Sequence, residues 1–264
     1  FKVHKKEAGL KGSLKSLVSR NYIEKHALDG LNLNIEEGEI IGLIGSNGAG
    51  KTTLTKILSG IIHPSSGQVK VMGHNPWERH NDYRSRMAVI MGQKAQLWWD
   101  LPAMDGFLLL REIYQIPHKE FYESVEYLAE YLSIKDQLNI QIRRLSLGER
   151  MKVELMAALL HKPKVIFLDE PTIGLDLTAQ KAVRNFIKEY RKEHNPTMIL
   201  TSHYMEDIEE LCPRICILKD GKSVYDDQLD KLHGQYAHNK LITANIKDSS
   251  DISKLKDVFS EDLG

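Results

Sequence analysis

The stretch Gly45-Ser46-Asn47-Gly48-Ala49-Gly50-Lys51-Thr52-Thr53 decides the fold, because of what stands on either side of it. Residues 39–44 (EIIGLI) are a short apolar run that reads as a buried strand, and residues 51–59 (KTTLTKILS) open a helix. Glycines let the backbone between them curl with its amides turned inward. Those amides and the positive end of the helix make a cradle for phosphate oxygens. The Lys51 ammonium reaches the outer phosphates, and the Thr52 hydroxyl is placed for Mg²⁺. Gly45 to Thr53 are therefore read as nucleotide-binding.

A phosphate-transfer site also needs a buried strand that ends in a carboxylate. Residues 164–168 (KVIFL) followed by Asp169 and Glu170 supply it, and Pro171 stops the strand. Side chains alternate along a strand, so the two acids are expected to point different ways, one toward metal and the other toward the attacking water. Residues 87–91 and 198–201 are further short Ile-, Val- and Met-rich runs, and helical stretches follow three of the four strands. Strand then helix, repeated, predicts a parallel sheet covered on both faces, with ligands at the carboxyl ends of its strands. Outside this core, residues 31–35 alternate like a half-buried antiparallel strand, and residues 214–219 and 222–225 read as a hairpin turning on Asp220-Gly221. Between Gln93 and Arg144 the strand pattern stops; residues 104–114 and 120–132 carry helical spacing, which predicts an inserted helical subdomain.

Composition narrows the function. Among 264 residues, 36 Lys and Arg balance 36 Asp and Glu, so no global field points to nucleic acid. Cys212 and Cys216 have no second pair with them, which argues for two reduced, buried thiols in a cytosolic protein and against a structural metal. No apolar run approaches the roughly 20 residues of a membrane span, and no signal peptide is visible. Since the chain opens at Phe1, the native N-terminus is expected upstream. Residues 2–20 carry six Lys or Arg and one Glu, with Leu10, Leu14, Leu17 and Val18 at helical spacing. That pattern predicts a basic amphipathic helix, which either lies on anionic lipid or a transmembrane partner or packs on its own domain. In the C-terminal stretch, residues 241–246 suit a strand and 252–259 a helix.

Leu145-Ser146-Leu147-Gly148-Glu149 precedes the Asp169 strand and opens a helix over residues 149–161. With that motif in place the chain resembles the ABC ATPase family, whose consensus here is Leu-Ser-Gly-Gly-Gln. The resemblance runs in order from about Tyr22 to Tyr225. It implies an α/β fold: a P-loop NTPase, ABC-type ATPase core with an antiparallel β subdomain and an inserted helical subdomain. It also implies residue roles. Ser146, Leu147, Gly148 and Glu149 close in trans over ATP held by a second nucleotide-binding subunit, either a copy or a similar chain. Gln93 is similar to the glutamine that touches Mg²⁺ and water, Asp169 completes the metal shell with Thr52, and Glu170 and His203 join Gln93 as catalytic residues. Asp176, in Gly174-Leu175-Asp176, belongs at the dimer seam, and Tyr22 stands where the family often stacks an aromatic on adenine. ATP and Mg²⁺ are the implied cofactors and transmembrane permease subunits the implied partners. The implied setting is the cytoplasmic face of a bacterial plasma membrane, held peripherally.

Domain boundaries follow at 1–20, 21–234 with the helical subdomain at about 94–146, and 235–264. Two features are particular to this sequence. Leu147 and Glu149 depart from consensus, and Glu149 brings a carboxylate toward the nucleotide, so a slow to moderate turnover is expected. Trp98-Trp99 either caps the core of the helical subdomain or offers a socket for a coupling helix, and this loop resembles bacterial subunits paired with export-type permeases. Three alternatives stand beside the export reading: a non-transport ABC ATPase, an ATP-binding adaptor without hydrolysis, and an importer subunit. One cassette, no coiled coil, an intact Glu170 and His203, and a short tail after Asp226 weigh against them.

Overall fold

A computed structural model describes residues 2–4, 22–24, 26–92 and 95–236, and the chain divides into a unit ending at Leu229 and a second unit beginning at Asp230. In the first unit, β1 (Lys2–His4) pairs antiparallel with β2 (Tyr22–Glu24). The main sheet holds β3 (Ile40–Ile44), β4 (Met87–Met91), β5 (Val165–Asp169), β6 (Thr197–Thr201), β7 (Arg214–Lys219) and β8 (Lys222–Gln228) in the order β4-β5-β6-β3-β7-β8. All its neighbours run parallel except β7 and β8, which form the hairpin predicted around Asp220-Gly221. Ile40, Ile41 and Leu43 of β3 and every residue of β5 are buried, as befits strands covered on both faces.

Helix α1 (Lys51–Leu58) leaves the loop after β3 and packs Leu54 into a core with Ile41, Leu43, Val165, Phe167 and Ile199. Burying each such side chain stabilises the fold by about 1.5–3 kcal/mol. A short α2 (Asn81–Arg84) precedes β4. The helical insertion is α3 (Ala103–Tyr114) and α4 (His118–Tyr131), with Phe107, Phe121, Val125 and Leu128 buried inside it. It packs on α5 (Leu147–Leu159), which leads into β5; α6 (Leu177–His194) and α7 (Met205–Leu211) complete the unit. Of the second unit the described residues belong to α8 (Leu229–Tyr236).

Register sets the level of the site. Met91 pairs with Asp169, Asp169 with Thr201, and Thr201 with Leu43, so four strands end in one row at their carboxyl termini.

Four expectations need correction or fall outside the described residues. Leu31, Leu33 and Ile35 do pack against the core while Asn32 and Asn34 are exposed, yet no strand forms over residues 31–35, where the alternation reports burial. Lys2–His4 is strand rather than helix, and residues 5–21 lie outside the described set. Helix α5 starts two residues before the expected Glu149, because Ser146 caps it. The strand and helix expected over residues 241–259 lie outside the described residues. Cys212 and Cys216 are free and buried, and burial pushes both thiols up. Among the described residues no helix is long and apolar enough to cross a membrane.

Candidate functional site

The loop after β3 is held open by backbone that suits glycine. Gly48 has φ +83° and a side chain there would meet nothing within 4 Å, so the tip faces free space. Gly45 sits against a neighbouring strand, where a Cβ would stand 2.4 Å from the Leu218 carbonyl oxygen. Lys51 is only 6 % exposed, and its ammonium folds back to donate to the carbonyls of Gly45 at 2.6 Å and Ser46 at 3.3 Å. Among the described residues no carboxylate pairs with it. A nearly buried cation satisfied by carbonyl oxygens alone, at the mouth of an amide-lined turn, is a preformed place for anionic oxygens.

Asp169 ends β5 beside this loop. Its Oδ1 accepts from Thr201 Oγ1 at 2.7 Å and from Thr52 Oγ1 at 3.3 Å, which joins β5, β6 and α1 at one oxygen. Glu170 points elsewhere, though not by simple strand alternation. It lies past the strand end with φ +56°, a left-handed turn fixed by its N–H donating to both the Thr201 carbonyl (3.0 Å) and Thr201 Oγ1 (3.1 Å). That turn brings Glu170 Oε1 to 2.8 Å from Nε2 of His203, which follows β6.

On α5, Ser146 and Glu149 form a complete capping box. Glu149 N donates to Ser146 Oγ at 3.2 Å, while Glu149 Oε2 accepts from Ser146 N at 2.9 Å and from Ser146 Oγ at 2.8 Å. Those two donors hold the Glu149 carboxyl below the usual carboxylate range. Leu147 is exposed and lies against Gly174, where a Cβ would stand 3.2 Å from Leu147 Cδ2; Gly148 faces Ala179 in the same way. Asp176 caps α6, accepting from Ala179 N at 2.8 Å. The start of α5 and the Gly174–Asp176 loop thus form one surface.

Trp98 and Trp99 are 50 % and 51 % exposed, so they do not cap the core of the helical insertion. Their loop is tied to α5 twice, one helical turn apart. Arg150 lies over the Trp99 ring at 5.2 Å, and Glu154 accepts from the amides of Gln96 (3.0 Å) and Leu97 (3.3 Å). Glu154 is 4 % exposed; burial pushes its carboxyl up, and the two amides pull it part of the way back. Trp98 shares a cleft of about 870 Å³ with Ile61, Leu110, Ile113, Tyr114 and His161.

Gln93 lies outside the described residues. The backbone of Tyr22 is described in β2, and its side chain is not.

The family profile for ABC transporters matches residues 28–173. The chain belongs to the ABC transporter family. It is 31% identical over 207 residues to the ABC transporter ATP-binding protein NatA of Bacillus subtilis, covering 78% of this chain and 84% of that one. Against a Nod factor export ATP-binding protein I of Burkholderia thailandensis the identity is 32% over 207 residues, with 78% and 67% covered. A solved ATP-binding subunit of an ABC transporter superposes with a TM-score of 0.72 at 26% identity, covering 80% of this chain and 87% of that chain. As an ABC transporter subunit, this chain binds and hydrolyses ATP with Mg²⁺.

The ABC site fits that metal on its own chemistry: Thr52 and Asp169 offer a hydroxyl and a carboxylate within 3.3 Å of one another, hard oxygen donors of the kind Mg²⁺ takes. Two participants escaped sequence reasoning. Thr201 bonds to both Asp169 and the Glu170 amide, and a Thr at a strand end gave no signal of that. Glu154 is the other. An acid amid the buried face of an otherwise apolar helix segment was the available sign.

Proposed function

We propose that this chain is one of two like subunits that close head to tail on two ATP molecules and drive export through a separate membrane permease. The observation that carries the proposal is the pairing of Glu170 with His203 at 2.8 Å, one residue beyond an Asp169 already bonded to Thr52. In this reading Gly45, Ser46, Asn47, Gly48, Ala49, Gly50, Thr53 and the Lys51 ammonium hold the phosphates. Thr52, Asp169 and Gln93 hold Mg²⁺, which when bound neutralises charge on the phosphate oxygens. Glu170 orients the attacking water and takes its proton as the new P–O bond forms and ADP leaves. His203 stands 2.8 Å from Glu170, so the carboxylate is held in place before the water arrives. Ser146, Leu147, Gly148 and Glu149 face the ATP of the partner subunit, Asp176 lies at the seam, and Tyr22 stacks on adenine.

The domain reading goes with this: residues 21–234 form the ATPase domain, about 94–146 its helical subdomain, with 1–20 and 235–264 as extensions. The permease docks at the Trp98 cleft. Half-exposed aromatics beside an open cleft are what an interface hot spot needs, and the Glu154 and Arg150 ties connect that loop to the helix that begins at the signature residues. Export is supported by the relative named for Nod factor export. The subunit then sits peripherally on the cytoplasmic face of a bacterial membrane.

Glu170→Gln tests the central assignment. It removes the proton acceptor and leaves the phosphate cradle whole, so the variant should bind ATP, run as a dimer on size exclusion with ATP and Mg²⁺, and hydrolyse at least about a hundredfold more slowly. Hydrolysis at the wild-type rate refutes the role of Glu170. Trp98→Ala and Trp99→Ala should abolish co-purification with the permease in detergent while the subunit's melting temperature is unchanged; retained co-purification sinks the docking site.

A further inference from the structure

Asp207 on α7 touches neither the phosphate loop nor the Glu170–His203 pair, yet it is fully buried and accepts from three side chains. Thr172 Oγ1 and Ser202 Oγ (2.6 Å) both donate to its Oδ2, and Arg184 Nη1 donates to Oδ1 at 2.9 Å. Arg184 also lies 3.1 Å from Glu210, whose other oxygen takes Lys188 Nζ at 2.6 Å. A carboxylate with no access to water is tolerated only when its charge and lone pairs are met, and here they are.

What this carboxylate joins is the informative part. Ser202 immediately precedes His203, and its Oγ also accepts from Tyr204 N at 3.0 Å, while Asp207 N donates to the Tyr204 carbonyl at 3.2 Å. Both neighbours of His203 are therefore fixed to one aspartate. Thr172 lies two residues past Glu170 and is fixed to the same oxygen. The segment leaving β5 and the segment leaving β6 meet at Asp207.

We infer that Asp207 is a positioning residue for ATP hydrolysis: by binding Ser202 and Thr172 to one carboxylate oxygen, it sets the 2.8 Å separation of His203 and Glu170. The inference rests on the assignment of those two residues to catalysis. A displacement of about 1 Å at a reacting group costs on the order of a hundredfold in rate, so loss of this tie has a large effect without any contact to nucleotide.

The test is a double-mutant cycle on the full chain, read by single-turnover cleavage of γ-labelled ATP with protein in excess. Asp207→Asn should slow cleavage about a hundredfold and leave the ATP dissociation constant within about twofold, because no part of the network touches the phosphate loop. In a His203→Ala background the same substitution should cost less than about twofold, since there is no imidazole left to position. If Asp207→Asn does not fold, Ser202→Ala and Thr172→Val each remove one hydroxyl; each should slow cleavage several-fold, and neither should act in the His203→Ala background. Equal losses in both backgrounds, or an unchanged rate in all three variants, overturn the role of Asp207. A His203→Ala protein that cleaves ATP at the full rate overturns instead the site assignment beneath it.

Discussion

Helix α1 starts at Gly50 with no side-chain cap and no acid in its first turn, whereas α5 starts at Ser146 with both halves of a capping box made and Glu149 in its first turn. Every helix begins with amide hydrogens that lack intrahelical partners, and its positive end favours an anion. In α1 no side chain of the helix answers that need, so a phosphate enters without displacing anything. In α5 the need is met in part, since Ser146 Oγ takes the Glu149 N–H and a resident carboxylate takes the Ser146 N–H and O–H together. The same backbone feature is left uncapped in one place and partly capped from within in the other. The first is built to bind within the chain. In the proposed dimer, the second would engage a phosphate only as Ser146 releases Glu149.

The largest effect should come from the uncapped site. Lys51→Ala removes the charged contact to the outer phosphates and should weaken ATP binding by about a hundredfold, measured by calorimetry on the isolated chain, since a hydrogen bond to a charged group contributes about 1.5–3 kcal/mol. Ser146→Ala, measured in the same way, should leave the affinity of a single subunit within about twofold, because in the proposed dimer its phosphate belongs to the partner. Equal losses in the two variants would break the contrast.

How much of this was legible beforehand divides along similar lines. The loop at Gly45–Lys51, the Asp169 strand and the β7–β8 hairpin could be read because each couples a local pattern to one backbone conformation. Residues 31–35 misled because burial alternates there without a strand. The divergence of Asp169 and Glu170 was expected for the wrong reason: the left-handed turn at Glu170 depends on Thr201, 31 residues later, and periodicity carries no information about a hydrogen bond across strands. Glu154 and Asp207 escaped for the same cause, since their meaning lies in what they accept from. The capping box was legible in outline. Ser146 and Glu149 have the spacing, but that both Ser146 donors go to one carboxylate oxygen is a fact of geometry.

The smallest effect, and the sharpest on the contrast, concerns Glu149. Glu149→Gln keeps a side-chain oxygen for the Ser146 donors and removes the charge that competes with an incoming phosphate. The ATP concentration for half-maximal hydrolysis should therefore fall by about two- to fivefold, the scale of one charge at a helix end, about 0.3–1 kcal/mol. Glu149→Ala loses the cap as well and should destabilise the isolated subunit by about 1 kcal/mol in urea at neutral pH. The sign with pH is fixed by the direction of the shift. Because the folded carboxyl is held below its ordinary value, the contribution of Glu149 to stability is present above that ordinary value. It is lost as the pH falls through the lowered one. The stability gap between wild type and Glu149→Ala should accordingly close in acid, whereas the gap for Ser146→Ala, which also loses the hydroxyl that caps Glu149 N, should close only in part. If Glu149→Gln raises the ATP requirement, the carboxylate is helping the signature residues rather than holding their place, and α5 is no less open than α1.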